Sequence, residues 1–402
     1  MNGVFDWLPR YTRSSLGKRC VALTALILLM NVALPVSSAE TKQHRIEDVI
    51  THAQSALLMD ADSGTILLEK NKDQQLPLAS ITKIMTMLLI MEAIEQGKIT
   101  YTELVSTSEY AASMGGSQIF LKAGEEMSVK DMLKGIALAS GNDASVAMAE
   151  KLAGSEALFV DMMNERATQL KMNNTHFANC NGLPKENHYS TAQDIAIMSR
   201  VLLKHKEITS FTGMYQDYLR KDQLQPFWLV NTNKLVRFYQ GADGLKTGYT
   251  QEAKFCLSAT AKRDNFRIIA VVMGEPNTTT RNHEVSQLFD YAFAQYQSYP
   301  VIHKGDRLGD VPIANGEIAE LPIMAIDDYG LLMNKGESTA NVRFELQIDA
   351  FVIAPLHEGQ PIGKLVIYHN DLVKREVSVT SPVSVAKASW WTLCKRKVRN
   401  LW

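Results

Sequence analysis

Apolar and polar positions along the chain change period several times, and the order of these changes predicts an α+β fold. Short apolar runs at 55–60 and 65–69 flank a polar turn, which is typical of a β-hairpin. Residues 84–90 form a longer apolar run, which predicts a buried helix that begins near Ser80 and ends near Gly97.

The rest of the chain divides into helical and strand-rich parts. Helical periodicity is found in four segments: 128–138, 143–152, 159–170 and 192–203. Three strand-like segments and a last helix follow: 244–249, 255–260, 266–274 and 283–296. Strands, then helices, then strands again indicate a layered α+β body whose two ends join one sheet. Beyond Pro300, helical signals almost disappear, which predicts a small all-β domain at about 298–380.

The N-terminal residues have the pattern of a secretion signal. Basic residues precede the apolar stretch 20–33, and small residues at 37–39 provide a cleavage site, so we expect 1–39 to be removed. The alternative is a retained N-terminal anchor, although the stretch is short for a spanning helix, which needs roughly twenty apolar residues. The mature chain would then begin near Glu40, in an extracytoplasmic space, with a catalytic domain at 40–297.

The C-terminal segment 381–402 predicts an amphipathic helix that anchors the protein peripherally to an anionic membrane. Its apolar residues fall near one helical face: Trp390, Trp391, Cys394, Val398, Leu401 and Trp402. Its charged residues are all basic: Lys387, Lys395, Arg396, Lys397 and Arg399. The alternatives are a solvated basic tail or a helix docked on the all-β domain. With the secretion signal, the pattern predicts a location at the periplasmic face of the bacterial inner membrane.

Charge and cysteine content exclude other classes of function. The 402 residues carry a net charge of −1, so no global field favours a nucleic-acid partner. No His, Cys and Asp cluster has the spacing of a metal site, and His176 and His188 are interpreted as structural or surface residues. Cys180 and Cys256 are left for the mature domains, and the sequence does not decide whether they pair.

Three short motifs follow one another in the regions predicted as a helix start, a turn and a strand. They are Ser80-x-x-Lys83, Ser140-Gly141-Asn142 and Lys246-Thr247-Gly248. Each motif is weak alone, since Ser-x-x-Lys also occurs at Ser15 and Ser384. Their order and predicted contexts together indicate a single catalytic site.

With these motifs the chain resembles the serine penicillin-binding proteins and β-lactamases. Within that group it is most similar to the low-molecular-mass D-alanyl-D-alanine carboxypeptidases of the peptidase S11 type, which resemble penicillin-binding proteins 5 and 6. Further matching stretches lie at 78–83, 140–144, 174–177, 189–192, 243–250 and 271–274. The resemblance implies a β-lactamase/transpeptidase-like catalytic domain, an antiparallel sheet with a helical subdomain, followed by the all-β domain and the amphipathic helix.

The resemblance also implies a role for each motif residue. Ser80 would be the nucleophile, and Lys83, kept neutral by burial and by the second cation Lys246, would take its proton. Ser140 would relay a proton to the leaving amine, and Asn142 would hold Lys83 and the substrate. Lys246 and Thr247 would bind the substrate carboxylate, and Gly248, without a side chain, would let the ligand approach the strand closely. The backbone N–H groups of Ser80 and Tyr249 would stabilise the oxyanion.

The implied reaction removes the terminal D-alanine of a peptidoglycan stem peptide without metal or organic cofactor, and β-lactam antibiotics would acylate the same serine. Asn181 stands where several relatives carry histidine, which leaves a deacylation role for that position open. The chain lacks an obvious glutamate-bearing loop of the class A β-lactamases, which argues against rapid β-lactam turnover. The remaining alternatives are an endopeptidase of cross-linked peptides and a non-catalytic, membrane-bound scaffold that binds the cell wall.

Overall fold

The structure is a computed structural model that describes residues 49–349 and 351–399. The predicted secretion signal at 1–39 lies outside these residues. In chain order the first elements are β1 (Ser55–Asp60), β2 (Ile66–Lys70), α1 (Lys83–Glu95), β3 (Leu104–Ser106), α2 (Glu109–Ala112), β4 (Glu126–Ser128), α3 (Val129–Ala139), α4 (Asn142–Ala153), α5 (Glu156–Gln169), α6 (Ala192–Leu202), α7 (Ile208–Thr212), β5 (Gln216–Leu219), β6 (Phe227–Val230) and α8 (Leu235–Phe238).

The remaining elements complete the sheet and form a second domain. They are β7 (Ala242–Thr250), β8 (Lys254–Arg263), β9 (Phe266–Glu275), α9 (Thr278–Gln295), β10 (Tyr296–Ile302), β11 (Arg307–Pro312), β12 (Glu320–Met324), β13 (Tyr329–Asn334), β14 (Val342–Ile348), β15 (Pro361–His369), β16 (Leu372–Thr380) and α10 (Trp390–Arg399).

One antiparallel sheet joins the two ends of the first domain. Its strand order is β2-β1-β9-β8-β7, so the N-terminal hairpin pairs with a strand more than two hundred residues later, Ser55 opposite Met273. Successive residues of these strands face opposite sides, and both sides are apolar. Leu57 and Val271 pack against the helices, whereas Leu58 and Val272 pack against α9. The sheet is therefore the middle layer of the predicted α+β body.

Helix α1 lies in the core of the helical layer. Its residues from Lys83 to Met91 are buried without interruption, as the apolar run predicted. It ends where the sequence placed its exit: Gly97 has a φ of +68°, and the N–H of Lys98 donates to the carbonyl of Ala93.

The second domain is all β, as predicted. Two two-stranded sheets, β10–β13 and β11–β12, and the three-stranded sheet β14–β15–β16 enclose one apolar core. The two domains are joined without a linker, because α9 ends at Gln295 and β10 begins at Tyr296. Arg375 of the β domain also donates to both carboxylate oxygens of Asp62, and Lys206 pairs with Asp327 at 3.0 Å.

Cys180 and Cys256 are both buried free thiols, which answers the question of pairing. The elements that sequence periodicity missed are short, namely α2, α7, α8, the pair β3–β4 and the hairpin β5–β6. The last predicted helix also begins earlier than its periodicity indicated, because the side chain of Asn277 caps α9 by accepting from the N–H of Thr280 at 2.8 Å.

Candidate active site

Ser80 lies on a tight turn that precedes the buried helix. Residues Ala79–Thr82 form a 3₁₀ turn, and the α-helix begins only at Lys83, not at Ser80 as predicted. Ala79 has a φ of +48°, an uncommon value for a residue with a side chain. The Thr82 hydroxyl, which donates to the carbonyl of Ala79 at 2.8 Å, closes the turn. Ser80 is thus presented at the start of a rigid helix.

Two glycines allow other segments to approach this turn. A Cβ on Gly182 would lie 2.0 Å from the carbonyl oxygen of Ala79, and one on Gly248 would lie 2.8 Å from that of Leu78. We predicted that Gly248 lets a ligand approach the strand. The structure gives another reason for this glycine, which is that β7 packs directly against the Ser80 turn.

The close packing at Gly182 leads to a mutational prediction. Gly182→Ala is expected to lower both the melting temperature and the rate of acylation by penicillin, because the new methyl group displaces the backbone of Ala79 and Ser80. Gly97→Ala is the control, since Gly97 also has a positive φ but a Cβ added to it would have nothing within 4 Å. That variant should cost only about 1–2 kcal/mol of backbone strain. Equal acylation rates in the two variants would contradict the packing argument.

The amine of Lys83 lies among three oxygen atoms. Its Nζ is 3.1 Å from Ser80 Oγ, 2.6 Å from Asn142 Oδ1 and 2.5 Å from the carbonyl oxygen of Asn181. A neutral amine has two N–H donors and one lone pair. With the donors directed to Asn142 and Asn181, the lone pair faces the Ser80 hydroxyl, which is the arrangement of a base and its nucleophile.

Burial makes the neutral form of this amine accessible. Complete burial lowers the pKa of Lys83 to about 7, against the opposite influence of Cys180 and Asp143. We predicted the lowering and its main cause. The Lys246 cation, which we also expected to lower the pKa of Lys83, is not a cause of this shift; Lys83 instead contributes to lowering the pKa of Lys246.

The second motif lies at the turn between α3 and α4, as predicted. Ser140 caps α3 in the left-handed conformation, with a φ of +63°. Its hydroxyl oxygen is buried and has no hydrogen-bond partner within the described part of the chain. Asn142 begins α4, and its Nδ2 donates to the carbonyl of Gly115 at 2.7 Å, so Oδ1 faces Lys83. Asn142 is therefore held between a loop and the base.

The third motif lies on β7, which is an edge strand of the central sheet. On such a strand, backbone groups on the side away from β8 are free to pair with an extended ligand. Lys246 is buried and donates to the carbonyl of Thr247 at 2.9 Å, while the Thr247 hydroxyl donates to Thr232 at 2.8 Å. The Tyr249 side chain is exposed and stacks on Phe255 with ring centroids 4.4 Å apart.

Arg281, at the start of α9, is a candidate site residue that the sequence analysis missed. Its guanidinium is buried, and in the described structure it donates only to Asn282. Burial, followed by the charges of Lys83 and Arg281, lowers the pKa of Lys246 well below its usual value. Burial and these two cations thus disfavour the positive charge that we expected on Lys246. A bound carboxylate would favour the protonated, charged form again. In the sequence, a single arginine at the start of a helix does not indicate proximity to Lys246.

Two supporting residues were also missed as parts of the site. The Asn181 carbonyl accepts from the Lys83 amine, whereas the sequence analysis concerns only the Asn181 side chain. His188 is structural, as predicted, but it lies directly beneath the nucleophile turn: its Nε2 is 2.7 Å from Thr82 Oγ1, and its Nδ1 accepts from the N–H of Ala178 at 2.9 Å. Burial lowers the pKa of His188 to about 4, which keeps this imidazole neutral near pH 7.

Comparisons with known proteins cover both domains. A family model described as D-alanyl-D-alanine carboxypeptidase matches residues 40–277, and one described as the C-terminal domain of penicillin-binding protein 5 matches residues 296–387. The chain is 46% identical over 379 residues to the D-alanyl-D-alanine carboxypeptidase DacF of Bacillus subtilis, covering 94% of this chain and 97% of that protein.

More distant relatives carry the same description or the same fold. Identity to the D-alanyl-D-alanine carboxypeptidase DacA of Haemophilus influenzae is 32%, covering 94% of this chain and 95% of that protein. The crystal structure of penicillin-binding protein 5 from Haemophilus influenzae is similar with a TM-score of 0.66 at 31% identity, covering 84% of this chain and 98% of that one. The fold, the converging motifs and these similarities lead to one conclusion: the chain belongs to the peptidase S11 family of serine D-alanyl-D-alanine carboxypeptidases.

Proposed function

We propose that this protein removes the terminal D-alanine from peptidoglycan stem pentapeptides through an acyl-enzyme on Ser80. The observation that carries the proposal is the contact of 3.1 Å between Ser80 Oγ and the fully buried amine of Lys83. Attack by the serine oxygen on the penultimate carbonyl releases D-alanine, and water then hydrolyses the ester. β-Lactam antibiotics, which mimic the terminal dipeptide, acylate the same oxygen.

Proton transfer uses Lys83 first and Ser140 afterwards. Neutral Lys83 takes the Ser80 proton as the carbonyl carbon is attacked, while Asn142 and the Asn181 carbonyl keep its lone pair on Ser80. The leaving D-alanine needs a proton on its amine. The unpartnered hydroxyl of Ser140 supports a relay to that nitrogen, because a buried hydroxyl without a partner gains a hydrogen bond when the substrate arrives.

The substrate carboxylate is recognised by buried cations. Lys246 and Arg281 have lowered pKa values mainly because both are buried, and in the described structure their side chains donate to the Thr247 carbonyl and to Asn282, not to a carboxylate. A carboxylate placed between them would offset the cost of two buried charges. The Thr247 hydroxyl adds a hydrogen bond. This arrangement selects peptides that end in a free carboxylate, which is the requirement of a carboxypeptidase.

The oxyanion of the tetrahedral intermediate is stabilised by backbone donors. We assign them to the N–H groups of Ser80, on its rigid turn, and of Tyr249, on the edge strand β7. Donors fixed in this way are worth roughly 3 kcal/mol each in transition-state stabilisation. The close packing of β7 against the turn at Gly248 supports this pairing, since it holds the two donor-bearing segments together.

The test of this function compares two substrates. Timed release of free D-alanine is measured from a peptide ending in D-Ala-D-Ala and from a cross-linked peptide dimer. A carboxypeptidase releases D-alanine from the first much faster than it cleaves the second. Faster cleavage of the dimer would favour the endopeptidase, and no turnover of either, without labelling by fluorescent penicillin, would favour the non-catalytic scaffold.

We further infer that the enzyme acts outside the cytoplasm, held peripherally at an anionic membrane by its C-terminal helix. In the part of the chain that the structure describes, no helix is both long and apolar enough to cross a bilayer. Helix α10 carries Trp390 and Trp391 exposed to solvent, which supports a role at the headgroup region. The family's action on the cell wall agrees with this location.

Removing 390–402 is expected to release the protein from membranes while D-alanine release is preserved. This cut keeps residues 386–388, where the N–H of Ala388 donates to the carbonyl of Asn315 at 2.8 Å. The measurement is co-sedimentation with vesicles of phosphatidylglycerol and phosphatidylcholine. Full binding of the truncated protein would place the anchor elsewhere.

A further inference from the structure

One surface of the β domain is apolar without being covered. In the segment 351–354, Val352 and Ala354 face the core with exposed fractions of 7% and 1%, whereas Phe351 and Ile353 face outward with 83% and 51%. Alternating positions on an extended segment face opposite sides, and a solvated outer side is normally polar. Here both outward residues are large hydrophobic ones.

This surface adjoins the C-terminal helix through one turn, residues 314–317. On one side of the turn, the N–H of Ala314 donates to the carbonyl of Val352 at 2.8 Å. On the other side, the N–H of Glu317 donates to the carbonyl of Ala386 at 2.9 Å. Arg396 of α10 donates to the carbonyl of Gly316 at 2.7 Å. Helix α10 is therefore docked on the β domain at this turn.

The docked helix presents tryptophans and cations at the same end of the domain. Trp390 and Trp391 contact each other with ring centroids 4.8 Å apart, and their exposed fractions are 67% and 70%. The segment 386–402 carries five basic residues and no acidic one. Glu317 lies in the turn itself, and Asp349 is two residues before Phe351. The five basic residues of the segment outnumber these two carboxylates.

We propose that Phe351, Ile353, Trp390 and Trp391, here termed the apolar end, together contact an anionic bilayer, so that the β domain itself and not only the tail enters the headgroup region. The inference rests on the proposed membrane association and specifies its surface. Tryptophan favours the boundary between headgroups and acyl chains, and the cations pair with lipid phosphates. Phe351 and Ile353 enlarge the apolar surface that leaves water when the domain contacts the bilayer.

The chain offers a matched control for this proposal. Leu372 and Val373 are exposed to 62% and 52%, similar to the proposed residues, but lie at the other end of the sheet β14–β15–β16, where Leu372 pairs with His369. There Val342 of β14 pairs with His369, whereas Ile348, which leads to Phe351, pairs with Gly363 at the other end. Substitution at either end removes comparable apolar surface from the domain.

The first experiment measures partition of the full-length protein onto vesicles of phosphatidylglycerol and phosphatidylcholine. Phe351→Ser with Ile353→Ser is expected to lower the partition coefficient by roughly tenfold or more, as two apolar side chains no longer leave water. Leu372→Ser with Val373→Ser should leave it unchanged. An unchanged coefficient for the first pair, or an equal loss for both pairs, would overturn the proposal.

The second experiment reads the contact directly. An environment-sensitive fluorophore is attached at Ile353→Cys, or at Leu372→Cys as control, in the Cys394→Ser background, because the other described cysteines are buried. A blue shift with anionic vesicles is expected for the first position only. A shift that appears without vesicles and rises with protein concentration would indicate self-association through this surface, and would also overturn the proposal.

Activity separates this inference from the proposed function. D-Alanine release from a soluble peptide should be the same in all these variants, because none of the substituted residues touches the catalytic site. If release is normal and only the membrane readouts fail, the surface is wrong and the enzyme assignment stands. If release is absent from the unmodified protein, the assignment itself fails whatever the vesicles show.

Discussion

Ser80→Ala is expected to abolish both labelling by fluorescent penicillin and release of D-alanine. The alanine side chain has no oxygen to attack a carbonyl, and the other groups of the site do not replace a nucleophile. The expected loss of D-alanine release exceeds roughly a thousandfold, because residual catalysis would rest on substrate binding and the oxyanion donors alone. Labelling is followed on denaturing gels, and release by a coupled assay for free D-alanine.

A second serine in the chain provides the control. Ser384 and Lys387 repeat the Ser-x-x-Lys pattern, but Ser384 belongs to the β domain, where its hydroxyl accepts from the N–H of Glu358 at 3.1 Å. Ser384→Ala should keep full labelling and full D-alanine release. Covalent labelling that survives in Ser80→Ala would remove Ser80 from its assigned role.

Lys83→Gln is expected to slow acylation by about a hundredfold to ten-thousandfold, the range that general-base catalysis typically contributes. The variant keeps a polar side chain of similar length but has no lone pair of comparable basicity. Lys83→Arg should be equally impaired, because a guanidinium stays protonated at all accessible pH values. The measurement is the second-order rate constant for acylation by a chromogenic penicillin, with circular dichroism to verify folding.

The pH profile distinguishes a base from a merely structural lysine. With a pKa of about 7, Lys83 is protonated and inactive below that value, and neutral and active above it. In the unmodified enzyme the acylation rate should therefore rise with pH through about 7 and then level off. This rising limb should vanish in Lys83→Gln. A limb that persists at the same pH in the variant would assign the titration to another group and contradict the role of Lys83.

Sequence reasoning anticipated those features that depend on local pattern. The buried helix, the strand of the third motif and the turn of the second motif follow from apolar periodicity and turn chemistry, and the structure places them as expected. The contact between Lys83 and Asn142, which are 59 residues apart in sequence, was also predicted, because the family resemblance implied it. Ser-x-x-Lys alone did not distinguish Ser80 from Ser384.

The features that were missed depend on the tertiary structure. Arg281 comes near Lys246 because α9 packs on the sheet that carries Lys246, and no local pattern indicates this. The Asn181 carbonyl is a backbone atom, so residue type gives no indication of its role. The 3₁₀ turn at Ala79, in place of the predicted start of the helix, lies where distant segments approach closely at Gly182 and Gly248, a contact that local sequence does not indicate.

The direct passage from Gln295 to Tyr296 has a consequence for how the enzyme meets its substrate. The helix continues into the strand without an intervening loop, and the ion pair between Arg375 and Asp62 is a second connection between the two domains. The β domain therefore determines how far the active-site cleft lies from the membrane that we propose it contacts, and at what angle. Under the proposed membrane association, the enzyme would therefore act on cell-wall peptides that pass at this distance from the membrane.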